Sequence, residues 1–198
     1  MRTAVLSHLS AALAHGWKVK TVPDRPWLVL TEGRRVPADV RAEAARVARA
    51  RLSARERQAG MTAPLRTVLD CARDLPYDEA LAVADSALRS GLVRREALRS
   101  AGAAARGPGA GRIRRVALAA DGRAANPFES VLRAIAADVP GVHLVPQYTI
   151  AEPGLFAQVD LADASRKLVI EADGFEHHGT QAGFVRDVRR YSELTMYG

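Results

Sequence analysis

The sequence predicts a two-part α/β chain, on three observations. Helical periodicity dominates the first half, three short apolar runs bracketed by helix signals occupy the second, and a glycine- and alanine-rich stretch at residues 101–111 separates them. The expected parts are residues 1–107, mostly helical with one short strand, and residues 108–198, ordered helix, strand, strand, strand, helix. With 198 residues and 48% hydrophobic content, the chain can bury a core.

In the first part, Val5, Leu9, Ala12 and Leu13 fall at helical spacing ahead of a glycine stop at Gly16, which predicts a short amphipathic helix over 4–16. His8 and His15 stand seven apart on one face, too far for a shared metal and suited to core or boundary positions. A strand is expected at 26–30. Residues 38–59 alternate arginine and alanine with little large apolar content, so a solvated helix, a basic arm and an irregular excursion all fit. Thr62 is expected to N-cap a helix through Arg73. Pro76 opens another, stopped at Gly91, and residues 93–105 give a third. Gly107-Pro-Gly-Ala-Gly-Arg112 follows a helical stretch instead of a strand, so it reads as linker and not as a phosphate-binding loop.

In the second part, Asn126-Pro-Phe-Glu-Ser-Val-Leu-Arg-Ala-Ile135 has the marks of a helix start, with Asn126 as N-cap, Pro127 at the first helical position and Glu129 in the first turn. Glu129 there either satisfies an orphan backbone donor and the helix dipole, or serves a catalytic site. Two short strands follow, His143 to Ile150 and Phe156 to Ala162, the second carrying Asp160. The run Lys167-Leu-Val-Ile-Glu-Ala-Asp-Gly-Phe-Glu-His-His178 then reads as a strand ending in acids and two histidines. Alternation sends Leu168, Ile170 and Ala172 to a core while Val169, Glu171 and Asp173 share the other face. Two carboxylates about 7 Å apart repel by about 2 kcal/mol at an effective dielectric of about 20, which either water or a divalent cation relieves. His177 and His178 are exposed turn residues after Gly174, or proton carriers beside a metal.

From Asn126 to Gly198 these residues resemble the restriction-endonuclease-like domains catalogued as domain of unknown function 559, relatives of the very-short-patch mismatch-repair endonucleases in the PD-(D/E)XK superfamily. The matching positions are Glu129, Gln147 in Pro-Gln-Tyr-Thr-Ile, Asp160 in Val-Asp-Leu, Val-Ile-Glu-Ala-Asp-Gly with a histidine four or five residues past Asp173, and Arg186-Asp-Val-Arg-Arg-Tyr191. The resemblance implies an αβββα core in which Asp160 and Glu171 bind Mg²⁺ (or Mn²⁺). Asp173 and Glu129 would complete or orient the site, and His178 or His177 would act as base or acid. Arg186, Arg189, Arg190 and Gln147 would contact DNA. Phosphodiester hydrolysis requires these types: carboxylates for a cation that neutralises the attacked phosphate, and a group near neutral pKa to move a proton. Two departures are expected to matter. The chain ends where family members continue with a tryptophan-containing strand, so the sheet would lack its last member unless a partner chain or a second copy covers the edge. Asp173 also stands where the superfamily more often has lysine, and Lys167, six residues earlier, does not reach that place.

The first part more loosely resembles abortive-infection type IV antitoxin-like proteins, on Leu6-Ser-His-Leu-Ser-Ala-Ala and Pro64-Leu-Arg-Thr-Val-Leu-Asp. The winged helix of longer relatives would precede it.

Charge is uneven. Residues 1–107 carry 19 basic and 11 acidic side chains, and residues 108–198 carry 10 and 11. A net +7 suits a polyanionic partner, DNA above all, although 26 of the 29 basic residues are arginine beside abundant alanine, which compositional bias also produces. One cysteine implies no internal disulfide framework and fits a reducing cytoplasm. No apolar run reaches the length of a membrane span, and no signal peptide is expected. The function expected is a Mg²⁺-dependent DNA endonuclease or nickase; the alternative is a non-catalytic DNA-binding or antitoxin-like regulator with a degenerate nuclease fold.

Overall fold

The structure, a computed structural model, describes residues 4–33, 35–36, 38–44, 46–171, 192 and 194–196. It is mixed α/β, with eight α-helices and two three-stranded sheets among the described residues. The chain divides into two compact units, Met1–Ala134 and Ile135–Gly198. No helix among the described residues is long and apolar enough to cross a membrane.

The first unit starts with a strand where a helix was expected. β1 (Ala4–Leu6) pairs antiparallel with β2 (Trp27–Leu30), and left-handed backbone at His8 (φ 47°) turns the chain into α1 (His8–Ala14). Residues 38–59, left open by their arginine–alanine alternation, form α2 (Ala38–Glu43), β3 (Arg46–Arg49) and α3 (Ala54–Ala59). β3 completes a sheet by running parallel to β2, with Trp27 opposite Arg46. A capping box between Ser53 and Glu56 starts α3, and Gly60 ends it in the left-handed conformation (φ 77°).

α4 (Pro64–Asp74) is capped by Ala63, not by Thr62. Pro64 at the first helical position holds the preceding residue extended, so the cap moves to Ala63. The Thr62 hydroxyl instead meets that of Thr67 at 2.7 Å in the interior.

α5 (Tyr77–Arg89) is the centre of the unit: every residue from Ala80 to Ala87 is buried. A helix buried all round needs partners on every side, and α1, α4, α6 (Arg95–Ala104) and α7 (Ala110–Ala119) supply them through Leu9, Val68, Cys71, Leu98, Ile113 and Val116. The glycine-rich stretch expected to link two parts is a short turn between α6 and α7, two packed helices of one unit. Gly102 permits that packing, since a Cβ there would lie 2.5 Å from the Cβ of Ala117. α8 (Pro127–Ala136) starts as expected, with the Glu129 N–H donating to Asn126 Oδ1 at 3.0 Å.

The second unit carries an antiparallel meander of β4 (Val145–Glu152), β5 (Leu155–Asp163) and β6 (Leu168–Ile170), with a single 3₁₀ turn, Ala164–Arg166, before β6. Leu155, Val159 and Leu161 are buried on one side of β5. Leu168, expected in the core, is 37% exposed, because β6 is a short outer strand of the described sheet.

Candidate functional site

Register brings three of the expected residues into one row. β4 and β5 pair Pro146 with Leu161 and Tyr148 with Val159, which sets Gln147 opposite Asp160. β5 and β6 pair Leu161 with Ile170, and one step further along the same register sets Asp160 opposite Glu171. Directly opposed residues share a face of the sheet, so Gln147, Asp160 and Glu171 cross it as a line. Hydrogen bonds tie the line together: Gln147 Nε2 donates to Asp160 Oδ1 at 3.3 Å, and the Asp160 backbone N–H donates to Glu171 Oε2 at 3.2 Å.

Gln147 holds left-handed backbone (φ 50°) in the middle of β4. A non-glycine residue there costs about 1 to 2 kcal/mol, and its amide is the group that reaches Asp160. All three residues are half-buried, between core and water. Their donor set, two carboxylates and an amide, is hard oxygen chemistry that suits Mg²⁺, a cation that keeps most of its waters and takes one or two carboxylates. Asp160 and Glu171 are the residues that could hold it. No group of three or more His, Cys, Asp or Glu side chains is placed to hold a metal among the described residues. A concavity of about 450 Å³ lies on the same unit, lined by Ile150, Leu155, Ala162, Lys167 and Val169 among others, but the acids of the row do not line it.

Glu129 belongs to the first unit and is 1% exposed. Its carboxylate accepts from the Ala125 N–H at 3.0 Å and from Asn126 Nδ2 at 2.9 Å, while Asn126 accepts in return, so its contacts are those of a helix cap. Asp173, His177, His178, Arg186, Arg189 and Arg190 lie outside the described residues.

Other chemistry-bearing groups escaped the sequence. Asp163, 3% exposed at the end of β5, accepts from the Ser165 hydroxyl at 2.6 Å and the His143 N–H at 2.9 Å, which hold its pKa below the usual carboxylate range. Ser7, His8 and Asp74 form a Ser–His–Asp chain: His8 Nε2 meets Asp74 at 3.0 Å, and Nδ1 meets the Ser7 hydroxyl at 3.0 Å. Burial lowers the His8 pKa against the pull of the Asp74 hydrogen bond, so the ring is neutral near pH 7. Ser7 is fully buried and His8 is 2% exposed beside Trp27, which denies a substrate access and makes this an internal strut.

Asp85, 1% exposed in α5, accepts from Arg133 at 2.7 Å, the Ser130 hydroxyl at 2.8 Å and the Asp121 N–H at 2.7 Å. Burial pushes its pKa up to about 6 despite these donors. No sequence pattern could have signalled these sites, because the partners come from 20 or more residues away through tertiary packing or sit one or two residues along the chain.

No protein-family model and no solved structure matches this chain. It is similar to an uncharacterized protein of Mycobacterium tuberculosis strain CDC 1551 and to one of strain H37Rv, each 35% identical over 143 residues. The match covers 69% of this chain and 51% of each relative, so the chain spans about half the length of the curated relatives it matches.

Proposed function

We propose that this chain is a metal-dependent DNA endonuclease or nickase, with a restriction-endonuclease-like core in its second part. The observation that carries the reading is the row Gln147, Asp160, Glu171: three polar residues far apart in sequence, aligned on successive strands and joined by hydrogen bonds. In this reading Asp160 and Glu171 hold Mg²⁺ or Mn²⁺, and Gln147 orients Asp160. The bound cation supplies charge neutralisation at the attacked phosphate and an activated water. Glu129 fixes the start of α8 through its cap. Asp173 completes the site, His178 moves the proton, and Arg186, Arg189 and Arg190 serve the phosphates.

A plasmid-nicking assay with Mg²⁺ or Mn²⁺ tests it. The expected result is relaxed or linear plasmid that disappears with EDTA and with Glu171→Ala. Intact plasmid accompanied by a mobility shift would favour the second reading, a DNA-binding or antitoxin-like regulator. That reading draws on the arginine excess of residues 1–107 and on the Glu171 oxygen already occupied by a backbone donor.

A further inference from the structure

We propose that a concavity in the first unit, walled by the end of α5, the α5–α6 turn and residues 121–123, binds adjacent phosphates of a nucleic-acid backbone. The proposal stands apart from catalysis, since none of these residues belongs to the acidic row.

The concavity has a volume of about 510 Å³, and Arg89, Arg94, Arg95 and Arg123 line it against two acids, Glu96 and Asp121. Asp121 is committed to two of the arginines. Arg123 donates to both of its oxygens, at 2.6 and 3.1 Å, and Arg95 Nη2 lies 3.1 Å from Oδ1. Burial pushes the Asp121 pKa up, but the hydrogen bonds and charges of these arginines outweigh it and bring it down to about 2, so the anchor stays ionised. Arg89 is held by neutral acceptors, the Ser86 hydroxyl at 3.2 Å and the Ala124 carbonyl, which leave its charge in place. Arg94 caps the start of α6, its carbonyl accepting from the Leu98 N–H at 3.1 Å, and its side chain makes no capping hydrogen bond.

Two positive charges therefore remain beyond neutrality on one concave surface, where the guanidinium forks of Arg89, Arg95 and Arg123 are fixed in direction. The Arg123 side chain is 56% exposed and that of Arg95 37%, so their outer edges face water while their inner edges are anchored. Fixed forks suit the paired oxygens of phosphate better than they suit a flexible acidic side chain, because less rotamer freedom is lost on binding. Several forks together suit a ligand of closely repeating charge, and a nucleic-acid strand carries one phosphate per 3.4 Å of axis.

The test measures anisotropy of a labelled short DNA duplex bound to the full chain, across a salt series with EDTA present so that cleavage plays no part. Arg94→Ala combined with Arg123→Ala is compared with Arg106→Ala, an exposed arginine outside the concavity that donates to the Ala103 and Ala105 carbonyls. The double variant is expected to bind several-fold more weakly and to flatten the slope of log affinity against log salt by about 0.9 for each phosphate no longer neutralised, while Arg106→Ala matches the wild type. Arg94→Glu, at a side chain that makes no capping hydrogen bond, repeats the test where the double variant melts early. Equal binding by all variants overturns the proposal, as does an equal loss with Arg106→Ala. Calorimetry with inorganic pyrophosphate and competition with polyglutamate separate the sources. Pyrophosphate binding lost in the double variant with DNA affinity unchanged would assign a small phosphate ligand instead, and displacement of DNA by polyglutamate at equal charge would assign an acidic protein.

Discussion

Gln147 combines two features that rarely coincide in a strand, a left-handed backbone and a side chain reaching a candidate metal ligand. Outliers of this kind persist where the surrounding structure over-determines them and often mark working sites. Replacing Gln147 with glycine removes a penalty of about 1 to 2 kcal/mol, while the strand glycine costs about 0.5 to 1 kcal/mol and the lost hydrogen bond to Asp160 about 0.5 to 1.5 kcal/mol, so the thermal midpoint is expected to change little. DNA cleavage is expected to fall, because Asp160 loses its amide partner. A clear drop in the midpoint would show that the conformation is unstrained. The acids of this row were legible in the sequence because strand alternation and one acid per strand are local signals. The strain at Gln147 was not, since only the register against β5 imposes it.

Two elements of the first unit carry sharp consequences. Asp85 lies inside α5 with a native pKa of about 6, above its unfolded value of about 3.9. The native state therefore binds this proton more tightly. Its contribution grows as pH falls through about 6, is complete below about 4, and is lost again as pH rises to about 6. Asp121, whose native pKa is lowered to about 2, acts in the opposite sense and only below about pH 4. Asp85→Asn, whose amide does not titrate, is expected to erase this part of the pH dependence. Thermal midpoints of wild type and variant at pH 7 and pH 5 check both statements; parallel shifts would contradict them. Between α6 and α7, Gly102→Ala forces a contact with Ala117 that no Cβ pair tolerates, costing about 1 to 3 kcal/mol. Adding Ala117→Gly should recover part of the loss in denaturant titrations, and strict additivity of the two changes would refute the contact. α7 itself carries Ile113, Val116 and Ala117 at helical spacing. The glycines at 107, 109 and 111 masked it, because punctuation of that density reads as linker until the packing on Gly102 is known.

Across the whole molecule, a composition break and a structural division fall in different places. Charge and glycine content change near residue 107, whereas the first compact unit extends to Ala134 and takes α7 into its main core. A fragment of residues 1–107 would expose the faces of α4, α5 and α6 that Ile113 and Val116 cover, so it is expected to lack a cooperative thermal transition, while residues 1–136 melt cooperatively. Cooperative melting of the shorter fragment would contradict this division. Helices with clear apolar stripes and the acidic strands were readable along the chain. The first sheet was not, because Arg46–Arg49 pairs with a distant strand and its arginine–alanine sequence carries no alternation of its own. The central claim concerns the second unit, that Asp160 and Glu171 form a metal-dependent nuclease centre. Its most direct measurement is single-turnover plasmid cleavage by wild type and Asp160→Asn across a Mg²⁺ series. The expected result is a rate reduced by more than about 100-fold in the variant, with an unchanged thermal midpoint. Equal, EDTA-sensitive cleavage by both proteins would contradict it.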